Sequence, residues 1–228
     1  MALYAIGDLH LSLGTEKPMD VFGGRWENYT DKISEGFSGL GDDDLTVICG
    51  DITWGMTMDE ALEDFLFIDR LPGKKIILKG NHDYWWTTAS KTKSFFAEHG
   101  ITTIDVLHNN SFEYGGRKIC GTRGWFYESG KSTGHDEKIM KRECMRLEAS
   151  LRSAGEGEKL VFLHYPPRFQ NYECPEILKL MREYGVTLCC YGHIHSAGCA
   201  LAFNGTLDGT KFMLVSADHV KFRPIMLF

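Results

Sequence analysis

The segment IILKGNHDYWW, residues 76–86, ends an apolar run with an amide, an imidazole and a carboxylate in direct succession: Asn81, His82 and Asp83. Other apolar runs end in the same chemistry. LYAIG leads into Asp8 and His10, LTVICG into Asp51, KLVFL into His164, and TLCCYG into His193 and His195. Carboxylates, imidazoles and one amide, with no thiolate, suit Mn²⁺, Fe or Zn²⁺ rather than a cysteine-type structural zinc site. They are too many donors for one tetrahedral ion and suit two ions sharing a bridge. Taken singly, each histidine reads as readily as a surface or satisfied core residue. Repetition at successive run ends is what points to metal.

The runs themselves, at 3–7, 45–50, 75–80, 117–121, 159–164 and 187–192, have the length and continuity of strands buried on both faces. Between them, 58–70, 136–152 and 174–184 carry helical spacing, and 84–99 carries it more weakly. Later, Gly115-Gly116, Asn204-Gly205 and Asp208-Gly209 signal hairpins. Strands alternating with helices, then hairpins, predict an α/β domain with mixed sheets. In such sheets ligands bind beyond the carboxyl ends of the strands, so the polar run ends would converge. Extended backbone points residues i and i+2 the same way, which would pair Asp8 with His10 and His193 with His195. Two connections, 11–26 and 122–135, are long enough to suggest functional loops.

Length and composition narrow the class. A chain of 228 residues, 43% hydrophobic, fills one substantial core, so a single domain over 1–228 is expected. A net charge of −6 argues against a nucleic-acid partner. The densest basic stretch, Lys138, Lys141, Arg142 and Arg146, is interrupted by Glu137, Glu143 and Glu148 and reads as a solvated helix face. Seven cysteines without a CxxC pair, no secretory pattern at the N-terminus and no apolar run near 20 residues predict a soluble cytoplasmic protein without membrane contact.

The ordered set GDLH (7–10), GD (50–51), GNHD (80–83), LHYPP (163–167) and GHIH (192–195) resembles the signature of the calcineurin-like metallophosphoesterases. The resemblance implies a pair of packed mixed β-sheets flanked by helices, an αββα sandwich. It implies a first metal on Asp8, His10 and His195, a second on Asn81, His164 and His193, and Asp51 bridging the two. His82 would be the catalytic histidine, outside the metal shell, with Asp83 orienting its ring. Gly80 would let the chain turn sharply off the sheet. The implied reaction is hydrolysis of a small phosphate mono- or diester by metal-bound hydroxide, with two Mn, Fe or Zn ions as cofactors.

Two alternatives are a nucleotide or nucleic-acid phosphodiesterase and a non-catalytic scaffold on the same fold. Retention of His82 with every ligand position favours an enzyme. The arginines that mark the protein phosphatases of this superfamily are missing: Lys79 stands before GNHD, and Trp54-Gly55 follows GDIT. Arg25, Arg123 and Arg168 lie near strand ends and are candidates for bidentate phosphate contacts. Trp85 and Trp86 are expected in the core. Trp54 would line the pocket or pack.

Overall fold

The computed structural model describes residues 1–126 and 134–228. The elements in chain order are β1 (Leu3–Ile6), α1 (Tyr29–Phe37), β2 (Leu45–Ile48), α2 (Leu62–Arg70), β3 (Lys74–Ile77), α3 (Ala89–Glu98) and β4 (Ile104–Val106). There follow β5 (Phe112–Tyr114), β6 (Arg117–Thr122), α4 (Gly134–Ser153), β7 (Glu158–Leu163), β8 (Arg168–Phe169), β9 (Tyr172–Glu173) and α5 (Pro175–Glu183). The chain closes with β10 (Val186–Tyr191), β11 (Gly205–Leu207), β12 (Thr210–Leu214) and β13 (Ile225–Met226).

Two mixed sheets result, ordered β13-β1-β2-β3-β4 and β11-β12-β10-β7-β6-β5. In the first, β1 to β4 run parallel and β13 closes the edge antiparallel. In the second, β12, β10, β7 and β6 run parallel, with β11 and β5 as antiparallel edges. Alternation along each strand divides the side chains between two layers. Leu3, Ala5, Val47 and Ile76 meet Leu160, Phe162, Leu188 and Cys190 in a core between the sheets. On the outer face of the first sheet, Ile6, Ile48 and Ile77 pack with Ile33 and Phe37 of α1 and Phe65 of α2. Behind the second, Val161, Leu163 and Cys189 pack with Leu147 and Leu151 of α4 and Ile177 of α5. This is the αββα sandwich that the motif set implies.

Sequence and structure differ at several elements. Helix α1 carries its apolar residues only at Tyr29, Ile33 and Phe37, a one-residue-wide stripe in a polar segment, and β4 is three residues long. Both are too faint for periodicity to register. Helix α3 starts at Ala89 behind the cap Thr88 rather than at residue 84, although Trp85 and Trp86 are buried as expected. Gly115-Gly116 and Asp208-Gly209 both take positive φ and turn tight hairpins. Asn204-Gly205 does not: Gly205 opens β11, and the Asn204 side chain accepts a bond from Leu214 N. In α4, Glu143 is fully buried instead of solvated and binds Thr122 and Arg146, each at 2.7 Å.

The two sheets are tied together at their carboxyl ends. Gly7 N donates to Val215 O at 2.7 Å, and Ala217 N donates to Gly7 O at 2.9 Å. The loops leaving β1, β2, β3, β7, β10 and β12 therefore emerge side by side.

Candidate metal centre

The loops that leave these strands do not continue as extended chain. Asp8 (φ 59°), His10 (φ 48°), Asp51 (φ 50°) and His193 (φ 71°) all occupy the left-handed region. For residues with a Cβ this conformation is uncommon, and it concentrates where a site over-determines the backbone. Asp8 and His10 thus meet through two left-handed residues, not through strand alternation.

Seven side chains come together. His10 Nε2 and His195 Nε2 lie 3.4 Å apart, with Asp8 Oδ1 3.4 Å from the latter. Asn81 Oδ1 sits 2.5 Å from His164 Nε2 and 2.9 Å from His193 Nδ1. Asp51 Oδ2 lies between the groups, 3.7 Å from His10 Nε2 and 3.6 Å from His164 Nε2. Asp8, His10 and His195 form one set with the spacing to hold an ion, and Asp8, Asp51 and His164 form another.

Hydrogen bonding behind the histidines decides what they present. His164 Nδ1 lies 3.0 Å from Cys49 O, an acceptor only, so that nitrogen carries the proton. His195 Nδ1 likewise faces the Asp218 carboxylate at 2.9 Å. Where such a ring is neutral, its Nε2 lone pair is left facing the Asn81 carbonyl or the carboxylates. Lone pairs converging on lone pairs repel unless a cation stands between them. This donor set fits two metal ions, and the outer partners are those that orient metal-binding imidazoles.

The electrostatics agree. Burial opposes charge on His195, yet Asp8 and the bond to Asp218 lift it to about 10, so positive charge is demanded at that point. Burial likewise pushes Asp8 up, but His195, His164 and His10 more than offset this and hold its carboxyl below the usual range. Burial and the neighbouring Asp8 push Asp51 up to about 8. Burial, reinforced by His164, drives His193 down to about 3.

Asp83, expected beside the His82 ring, is engaged with backbone amides. Its carboxylate, fully buried, accepts bonds from Asp51 N, Ile52 N and Gly80 N at 2.7–2.9 Å and from the Trp85 indole at 3.0 Å. With both oxygens taken up in this way, Asp83 clamps the loop carrying Asp51 to the loop carrying Asn81 and His82. Asp83 thereby fixes the backbone from which the His82 side chain projects. Gly80 also has another reason from the one expected. Its φ is not left-handed; a Cβ there would collide with the Asp51 backbone N and Oδ1 and come 2.8 Å from its Cγ. Close approach of the two loops, not a sharp turn, requires glycine.

His82 stands over the centre. Its ring lies 5.7 Å from that of His10 and 4.5 Å from that of Trp54, with the Tyr84 hydroxyl 3.4 Å from Nδ1. Trp54 also stacks on His10 at 5.0 Å, so it both packs and lines the cleft. Arg25 is exposed on the rim of the cleft that contains His10, His82 and His195. The other two candidate arginines are engaged. Arg168 pairs with Glu173 at 3.1 Å and lies over Phe203, and Arg123 pairs with Glu143 at 3.5 Å and lies over Trp125. Of the connection 122–135, residues 127–133 lie outside the described residues.

Sequence reading missed Asp218. It is buried just beyond β12, binds His195 Nδ1 through Oδ1 and accepts Ser196 N at 2.9 Å through Oδ2. The signal was present: FMLVSAD is one more apolar run ending in a carboxylate.

The chain matches the family model described as calcineurin-like phosphoesterase over residues 1–197. No curated protein matches it. Among solved structures it is similar to the protein of unknown function AQ665 from Aquifex aeolicus, with 17% identity, TM-score 0.54, and 99% of this chain and 95% of that one covered. It is also similar to phosphopantetheinyl hydrolase (PptH) from Mycobacterium tuberculosis, with 16% identity, TM-score 0.57, and 94% and 88% covered. The protein TT1561 of Thermus thermophilus matches with 11% identity and TM-score 0.54 over 98% and 96%. At these identities the structures share the fold.

Proposed function

The chain belongs to the calcineurin-like phosphoesterases, and from that premise we propose that it is a dinuclear-metal hydrolase of small phosphate mono- or diesters. The carrying observation is the convergence of Asp8, His10, Asp51, Asn81, His164, His193 and His195, with the protons of His164 and His195 committed to acceptors behind them. In this reading Asp8, His10 and His195 hold one ion, Asn81, His164 and His193 the other, and Asp51 both. When bound, two such ions would polarise a phosphoryl group and lower the pKa of a water shared between them.

The protein supplies the rest. His82, placed over the centre beside Trp54, is the group available to give a proton to the departing ester oxygen. Asp83 and Asp218 keep the ligands in register: the former through the backbone of the Asp51 and Asn81 loops, the latter through the His195 ring. The indoles of Trp26 and Trp54 flank His10 and limit water on that side. Among the described residues, no helix is long and apolar enough to cross a membrane. All seven cysteines are free, which supports a reducing compartment such as the cytoplasm.

Elemental analysis of the Mn²⁺- or Zn²⁺-loaded protein should find roughly two metals per chain, and chelation should abolish turnover of p-nitrophenyl phosphate or bis-p-nitrophenyl phosphate. One metal or none, or activity that survives chelation, would reject the reading. The ratio of the two rates separates monoesterase from diesterase.

A further inference from the structure

Beside the cleft of about 620 Å³ that holds His10, His82 and His195 lies a second cavity of about 860 Å³. The two share Arg25, Ser196, Ala197 and Asp218, so they adjoin at these residues. The second is rimmed by Arg25, Lys32, Lys221 and Arg223, against Glu35 and Asp218 as its only acids. Glu35 is committed to Arg223 at 2.6 Å. Asp218 is committed to His195 and Ser196 N and faces the metal side. Arg25, Lys32 and Lys221 make no ion pair with a carboxylate among the described residues; the Lys32 ammonium is held in place by Arg25 O at 2.8 Å. The backbone at Lys221 and Phe222 is left-handed (φ 56° and 60°), which turns this segment tightly at the cavity wall.

Three uncompensated cations around one concavity are unexpected in a chain of net charge −6. A concave wall with an excess of positive charge, its two acids committed elsewhere, concentrates field lines and favours anions. The scissile phosphate is already provided for at the metal ligands, so this charge must meet a different anion. Tertiary amines and apolar leaving groups would gain nothing from it. The volume is that of a site for a whole organic moiety rather than for one bound ion.

We propose that this basic cavity binds a second phosphate, so that the preferred substrate is a phosphate ester whose leaving group is itself phosphorylated. The inference rests on the hydrolase reading for the location of the scissile phosphate. Arg25, at the junction of the two cavities, would span both phosphates, while Lys32 and Lys221 would contact only the distal one.

The test uses the Mn²⁺-loaded full chain with p-nitrophenyl phosphate as reporter and three competitors: adenosine 3′,5′-bisphosphate, adenosine 3′-monophosphate and adenosine 5′-monophosphate. The bisphosphate should inhibit about tenfold more tightly than either monophosphate, the worth of one charge-assisted contact pair. That advantage should shrink when salt is raised from about 0.05 to 0.5 M, and should fall below about threefold in the Lys32→Gln/Lys221→Gln variant. Equal inhibition by all three, or an advantage unchanged by the double substitution, overturns the proposal. Absence of reporter turnover would count against the hydrolase instead. The same three affinities, read by calorimetry on the metal-loaded chain, then decide the cavity by the same criteria.

Discussion

Replacing Gly80 by alanine should cost about a hundredfold in kcat/KM although no ligand or proton donor is itself substituted. The added methyl would stand 2.8 Å from Asp51 Cγ and in collision with its backbone N and Oδ1. Carbon atoms rest about 3.5–4.0 Å apart, so one loop must retreat by about 1 Å. His82 moves with it, because His82 N donates to Asp51 Oδ1 at 2.8 Å and transmits any shift between the loops. A misplacement of about 1 Å costs roughly 10²-fold in rate, or about 2.7 kcal/mol of barrier. Since Gly80 does not use a left-handed φ, alanine imposes no backbone penalty and the effect isolates the collision. Gly39→Ala serves as control, for a Cβ there meets nothing within 4 Å. The assay is steady-state hydrolysis of p-nitrophenyl phosphate by both variants with Mn²⁺ in excess, alongside metal content. If Gly80→Ala stays within about threefold of wild type, the two loops are not as tightly apposed as this geometry requires.

His82→Ala should retain the metal complement yet lose most turnover, since His82 stands over the ligands rather than among them; unchanged kcat would move the proton-donor role elsewhere. Asp218→Asn should weaken metal binding by about 10–100-fold by releasing the His195 ring, with much of the kcat recovered at saturating metal. Calorimetric titration measures this directly, and wild-type affinity would show that His195 is oriented by something other than Asp218. Away from the metals, burial pushes Asp64 up to about 6 against bonds from Thr53 and Leu13 that pull it down. An acid raised in the folded state takes its proton there first, so its charge penalises folding fully above pH 6 and is relieved as pH falls toward the ordinary 3.8. Asp64→Asn should therefore be relatively more stable than wild type at pH 8 and lose most of that edge by about pH 4.5. Parallel urea midpoints at the two pH values, measured with chelator, would contradict the shift.

The strands and their polar endings were legible because they are local. An apolar run buried on both faces must be continuous, and a ligand at its carboxyl end must follow at once. Hence Asp8, Asp51, Asn81, His164 and His193 could be picked out without knowing how the sheets are arranged. Helices α2, α4 and α5 were legible through their wide apolar stripes, whereas α1 relies on tertiary packing of Tyr29, Ile33 and Phe37 against the first sheet. Asp218 escaped because its partner, His195, is 23 residues away and reached only when β12 pairs beside β10.

What the linear order of residues determined by itself was the inventory: which donors exist, that they are oxygen and imidazole donors rather than thiolates, and that each follows a strand. Tertiary structure decided their use. The left-handed turns at Asp8 and His10, the bonds that Asp83 accepts from the Asp51 loop, the engagement of Arg123 by Glu143 and the basic cavity beside Arg25 all depend on chain segments far apart in sequence. A side chain's type follows from its codon, but its partner is set by whatever the folded backbone brings within about 3 Å of it.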